Sequence, residues 1–138
     1  MTGVQTCALP IFQKEMAKSE HPEILKANLY FGNPSVTPEH ITKALNAETY
    51  GVRLAAIKHP NATPEHITKA LNDKHPSVRR AAIEHPKATP ENISKALDDE
   101  DFNVRWSAIL HPNATPEHIT KALDDKDEYV REIGRAHV

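Results

Sequence analysis

The chain has 138 residues, 38% hydrophobic and 5% aromatic, with a formal net charge of −2. That length allows one domain, and no apolar run approaches the roughly 18 residues a membrane-spanning helix needs. Interleaved acids and bases leave no general field for nucleic acid, and the single cysteine, Cys7, excludes a disulfide framework or a thiolate metal site.

In chain order, residues 1–11 resemble the conceptual translation of a short-read sequencing-library adapter, and residues 132–138 the same adapter read from the other strand. Residues 6–11 can be written ACG TGT GCT CTT CCG ATC. The reverse complement, shifted in frame and prefixed by GA, encodes Glu-Ile-Gly-Arg-Ala-His-Val, the sequence of residues 132–138. The start also lacks the basic region and the apolar length of a secretory leader. Residues 1–11 and 132–138 are therefore expected to be non-native tails, the first making few specific contacts. The natural portion is expected to run from about Phe12 to Arg131 as an internal piece of a longer protein. Cys7 lies in the first tail, so a reducing compartment is permitted and a cytoplasmic location is expected.

Residues 12–36 do not follow the pattern of the rest. His21 to Pro34 looks like a degenerate helix of the second kind described below, but Pro22 to Pro34 is two residues longer than Pro76 to Pro86. An atypical repeat with a bulged end, or a cap, is expected there.

From Thr37 the chain repeats every 26 residues. Thr37-Pro38-Glu39-His40-Ile41-Thr42-Lys43-Ala44-Leu45-Asn46 recurs unchanged from Thr63 and with small edits from Thr89 and Thr115. Repeats thus start at 37, 63, 89 and 115 and run to residue 131, the last one truncated. A period of this size marks a solenoid, in which each repeat buries its apolar face only against its neighbours.

The repeat from Thr63 shows the logic. Thr63 is an N-cap, Pro64 suits the first helical position, and Glu65 favours the positive helix end. Ile67, Ala70 and Leu71 share one face, Glu65 and Lys69 are spaced to pair outside, and Asn72-Asp73-Lys74 ends the helix. The second helix follows Thr49, His75, Asp101 or Asp127, three of these four being good N-cap residues. Val78, Ala81, Ala82 and Ile83 form its apolar face, and Pro86 stops it. No strand pattern occurs.

Val52-Arg53-Leu54-Ala55-Ala56, Val78-Arg79-Arg80-Ala81-Ala82 and Val104-Arg105-Trp106-Ser107-Ala108, with their His-Pro-x-Ala-Thr-Pro turns, resemble the leucine-rich repeat variant family. The resemblance covers about Asn33 to Arg131. It implies an all-α, right-handed α-solenoid of 26-residue two-helix repeats, related to HEAT and armadillo arrays and without β-sheet, in which one helix of each pair can tighten to 3₁₀. Some relatives carry an iron–sulfur module on cysteines; with Cys7 alone, no cofactor is expected here.

Positions that recur belong first to stacking. Arg53, Arg79, Arg105 and Arg131 form a ladder at the repeat period, with Asp73, Asp99 and Asp125 before the second helices. Arg–Asp bridging is expected in preference to an anion-binding stripe. His59 with His66, and His111 with His118, are spaced to converge on a metal, but His85 faces Asn92, and equivalent positions lie about 8–10 Å apart. Turn packing and helix capping are expected, with no metal. Glu39, Glu65, Glu91 and Glu117 recur as helix-end acids, and no nucleophile–base constellation or phosphate loop stands out, so no catalytic residue is expected.

Positions where the repeats disagree point to recognition. Tyr50/Leu54/Lys58, Pro76/Arg80/Glu84 and Phe102/Trp106/Leu110 occupy equivalent places on one face of the second helices. Trp, Tyr and Arg are the usual anchors of partner interfaces. The expected function is a monomeric, non-enzymatic scaffold that binds a protein or peptide through Tyr50, Leu54, Arg80, Phe102, Trp106 and Leu110. The alternatives are a repeat arm of a larger enzyme, of lyase or DNA-repair type, and a weak nucleic-acid-binding array. In register, Ile133 and Gly134 replace the two small residues of the last second helix, and Arg135 lands where Ile57, Ile83 and Ile109 sit. That end is expected to fray or pack poorly, without a buried, paired Arg135.

Overall fold

The structure, a computed structural model, describes Lys14 and residues 21–138. The expectation for residues 1–11 lies outside the described residues. From His21 onward nine helices follow one another, and no strand occurs among the described residues. They are α1 (Pro22–Tyr30), α2 (Pro38–Ala44), α3 (Tyr50–Lys58), α4 (Pro64–Ala70), α5 (Pro76–Glu84), α6 (Pro90–Ala96), α7 (Phe102–Leu110), α8 (Pro116–Ala122) and α9 (Glu128–Ala136).

Seven-residue and nine-residue helices alternate. The short ones start on Thr-Pro. In α2, α6 and α8 the threonine side chain accepts the N–H three residues on, and proline occupies the first turn, where a missing N–H costs nothing. These short helices are α-helical, so the 3₁₀ variant is not adopted. The long helices stop at His-Pro: His59, His85 and His111 are extended, with ψ of 138°, 134° and 136°, as the following proline demands.

The chain divides into two compact units, residues 1–66 and 67–138. In the N-terminal unit α3 packs on α1 and α2 around Leu29, Val36, Ile41, Leu45, Ala56 and Ile57, all buried. In the C-terminal unit α7 packs against both α5 and α9, its equivalents one repeat away, while α6 and α8 close the other layer. Val78, Ile83, Ile93, Val104, Ile109 and Val130 form its buried centre. Among the described residues each unit is therefore all-α and solenoidal, built by stacking equivalent helices. Alanines 56, 82 and 108, fully enclosed, let the stacked helices approach closely.

Three local expectations are corrected or refined. The last helix does not fray at residue 131: α9 is helical through Ala136, and the His137 N–H bonds back to Gly134 and Arg135 carbonyls. Packing against α7 and α8 supplies the reason, with Val130 and Gly134 buried in α9. Gly134 stands where the other repeats carry alanine, and a Cβ there would lie 3.3 Å from Ala122 Cβ and Leu123 Cδ2. Arg135 stays exposed at the position where Ile57, Ile83 and Ile109 are enclosed.

The N-caps of the second helices also differ from expectation. Thr49 makes no side-chain cap bond to α3, whereas His75 accepts the Ser77 N–H through Nδ1 at 3.1 Å. Asp101 and Asp127 cap as expected, accepting from Asn103 and Tyr129 at 2.8 Å each. Upstream, α1 has the nine residues of the other second helices, and the two extra residues follow it. Gly32 turns the chain there at φ 65°, in the left-handed region that glycine enters without a Cβ clash.

Candidate interaction face of the second helices

The recurring polar residues are engaged in stacking. Arg79 reaches one repeat forward to Asp99, with Nε to Oδ2 at 2.8 Å and Nη2 to Oδ1 at 3.2 Å, while its Nη1 bonds the Asp73 carbonyl at 2.9 Å. Arg105 repeats the pattern with Asp125 at 3.0 Å and with the Asp99 carbonyl at 2.9 Å. Arg53 and Arg131 make the equivalent bonds to carbonyls just before their own helices. The aspartates work twice: Asp99 Oδ1 also accepts the Asp101 N–H at 2.9 Å, and Asp125 Oδ1 that of Asp127 at 2.8 Å. Buried charges joined by paired, charge-assisted bonds are a stacking device, and these guanidiniums are not available to an outside anion.

Histidines form two further ladders. His66 Nδ1 accepts the Thr63 N–H at 3.0 Å, so the ring proton sits on Nε2, which lies 2.7 Å from Thr42 Oγ1 in the preceding repeat. Asn92 does the same work with an amide. Its Oδ1 accepts the Thr89 N–H at 2.9 Å, and its Nδ2 donates to Thr68 Oγ1 at 3.0 Å. At the helix ends, His59 and His111 accept the N–H two residues on and place Nε2 at 3.0 and 2.9 Å from the carbonyls of Asn33 and His85. Both nitrogens of these rings are thus occupied. Among the described residues no group of three His, Cys, Asp or Glu side chains is placed to hold a metal ion.

The helix-start acids are likewise local. The carboxyls of Glu39, Glu65 and Glu117 lie below the ordinary carboxylate range, chiefly because each accepts its own backbone N–H and then the hydroxyl of Thr37, Thr63 or Thr115. In the C-terminal unit the short-helix lysines reach to the preceding repeat: Lys95 Nζ donates to Asn72 Oδ1 and Lys121 Nζ pairs with Asp98, both at 2.6 Å. The outward i,i+4 pair is therefore not the pattern these two lysines follow.

What remains outside the scaffold is the variable face. In the C-terminal unit Arg80, Glu84, Trp106 and Leu110 line a hollow of about 250 Å³ between α5 and α7, floored by Ser107, His111 and Pro112. Arg80 and Glu84 form an exposed ion pair at 2.8 Å, and Ser107 Oγ donates to Glu84 Oε1 at 3.0 Å. Phe102 and Trp106 wall a second hollow, of about 370 Å³, with Tyr129 and Ile133. Ile133 lies within residues 132–138, for which codons complementary to those of residues 6–11 can be written, so the first hollow is the better guide. The Trp106 indole Nε1 is enclosed and has no hydrogen-bond partner among the described residues.

Tyr50 is exposed and Leu54 half-buried on α3, in the other unit. Three aromatics were missed by comparing repeats. Tyr30 and Phe31 lie in the degenerate region, where the two extra residues break the register, and Tyr129 sits one position off the compared set, at the place of Asn103. The signal that finds them is simple: five of the six described aromatics (Tyr30, Phe31, Tyr50, Phe102 and Tyr129) are exposed, and the sixth, Trp106, is half-buried. All six lie on second helices or at the end of one, and none is in the core.

A comparison with protein-family models gives no match, and no curated protein is found that is similar to the chain. No helix among the described residues is long and apolar enough to cross a membrane.

Proposed function

We propose that the chain is a non-enzymatic repeat scaffold of the leucine-rich repeat variant kind, which binds a protein or peptide through the exposed face of its second helices. One observation carries this: among the described residues the large buried apolar side chains are all aliphatic, whereas five of the six aromatics are exposed and the sixth, Trp106, is half-buried, all on that one helix class or at its end. Aromatics left this accessible offer apolar area to a partner, and they are the side chains that anchor partner interfaces. The half-buried Trp106, with Leu110 beside it over the α5–α7 hollow, is the central anchor. The nucleic-acid alternative is less favoured, because Arg79 and Arg105 are engaged with Asp99 and Asp125, and Arg80 with Glu84.

The test uses peptides selected on the purified chain from a random display library. Trp106→Ala and Leu110→Glu should each weaken the selected peptides about tenfold or more, with helical circular dichroism unchanged. Peptides that bind both variants as tightly as the parent chain would overturn this assignment of the face.

A further inference from the structure

Within the N-terminal unit the same face has a different chemistry from the Trp106 region. Tyr30 and Phe31 are 76% and 81% exposed and meet edge to face, with ring centroids 5.2 Å apart. Tyr50 is half exposed on α3, which packs on α1. Two cations occupy the corresponding register positions of these helices. Counting from the helix starts, Lys26 on α1 is the equivalent of Leu54 on α3, and Tyr30 is the equivalent of Lys58. Lys26 Nζ lies over the first turn of α3, 4.0 Å from where a Cβ on Gly51 would stand.

Lys26 and Lys58 are exposed, and neither forms an ion pair among the described residues. This contrasts with the scaffold, where Arg79, Arg105 and Lys121 each face a carboxylate. Glu23 is the one exposed acid on α1, and α3 has none. A face carrying two exposed ammonium groups, neither in an ion pair among the described residues, is locally charge-complementary to an acidic partner.

We infer that the α1–α3 face receives an acidic peptide segment that also carries apolar side chains: its carboxylates meet Lys26 and Lys58, and its apolar residues cover Tyr30, Phe31 and Tyr50. The inference rests on the partner-binding reading above and specifies the partner's chemistry at this end. Aromatic rings provide the contact area at low conformational cost, and the lysines select the sign of charge.

The probes are a short fluorescein-labelled peptide of Glu, Asp, Leu and Phe, its counterpart with Lys at every acidic position, and an oligothymidylate. Binding to the full chain is followed by fluorescence polarisation. The acidic peptide should bind and weaken severalfold as salt rises from about 50 to about 200 mM, while the basic counterpart should not bind measurably. Lys26→Glu with Lys58→Glu should lower its affinity about tenfold or more, and the milder Lys26→Gln with Lys58→Gln should do so by a smaller factor. Trp106→Ala, in the other unit, should leave this probe's binding unchanged.

Absence of acidic-peptide binding at low salt would overturn the proposal, as would equal binding of the basic counterpart or an unchanged affinity in both lysine variants. Tighter binding of oligothymidylate than of the acidic peptide would assign the face to nucleic acid. Dimerisation of the free chain that is abolished by the lysine changes would assign it to a second copy. Both of those outcomes overturn the proposal. If the lysine changes have no effect while Trp106→Ala abolishes binding of the library-selected peptides, the scaffold reading stands and this inference fails alone.

Discussion

His118 Nε2 lies 2.8 Å from Ser94 Oγ one repeat earlier, while Nδ1 of the same ring accepts the Thr115 N–H at 3.0 Å. One side chain thus caps its own helix and ties it to the preceding short helix. Because Nδ1 accepts, the ring is the neutral Nε2–H tautomer. The Asn92 amide places an acceptor and a donor in the same two directions, so the single replacement of His by Asn at this position is chemically conservative.

His118→Asn should therefore be nearly neutral, within about 0.5 kcal/mol, whereas His118→Ala should cost about 1–2 kcal/mol through loss of the cap and the inter-repeat bond. Urea unfolding followed by circular dichroism distinguishes the two. Equal destabilisation by both variants would show that ring packing, not the pair of hydrogen bonds, holds the position.

The arginine ladder gives a larger effect. The Arg105 and Asp125 side chains are 4% and 9% exposed, and Arg105→Met would leave the Asp125 carboxylate buried without its cation. A loss of about 3–5 kcal/mol is expected. Adding Asp125→Asn to Arg105→Met removes the stranded charge and keeps an acceptor for the Asp127 N–H, so the double variant should recover part of that loss. Thermal unfolding of the two single variants and the double variant measures the coupling.

Thr49 is the one second-helix N-cap residue of the four tandem repeats whose side chain does not cap. Thr49→Asp installs the residue that caps α7 and α9, and should stabilise the chain by about 1 kcal/mol. An unchanged midpoint would indicate that the backbone around Ala47 and Glu48, held by Arg53, cannot present the carboxylate to α3.

The pH dependence follows from Glu39, Glu65 and Glu117. Their carboxyls are lowered in the folded chain by their own backbone N–H groups and the cap threonines, so folding favours the ionised form. The stability they contribute is complete above the unfolded glutamate value of about 4.3, and is lost as pH falls through the lower folded values. Replacing all three with Gln should flatten the fall in urea midpoint between about pH 5 and 3 relative to the parent chain. A parallel fall in both proteins would place the acid sensitivity elsewhere.

Much of the fold was legible because each repeat states it locally. Thr-Pro starts, His-Pro stops and the Ile/Leu/Val/Ala spacing specify a short helix followed by a longer one, and the structure has them at those places. The Arg–Asp ladder was legible too, since a cation and an anion recurring at one period have a shared reason to do so. Capping was less legible. Residue type ranks Thr above His at an N-cap, yet Thr49 fails and His75 succeeds, because the bond depends on where the preceding turn delivers the side chain. The persistence of α9 was missed for a similar reason: its packing against α7 and α8, with Val130 and Gly134 buried, is invisible in the residue string.

The candidate face divides in the same way. Comparison between repeats picks out Tyr50, Leu54, Arg80, Phe102, Trp106 and Leu110, since subtracting what recurs needs only the sequence. It does not show that Arg80 is held by Glu84, or that Trp106 is half-buried between two hollows. Nor does it show that Tyr30 and Phe31 stand exposed beside Lys26 and Lys58. The sequence by itself determined the repeat, its two helices and the residues that stack them, because those depend on hydrophobic period and on caps a few residues apart. Only the tertiary structure decided which polar groups are consumed by stacking and which aromatics are left uncovered, because both depend on contacts between residues some twenty or more positions apart.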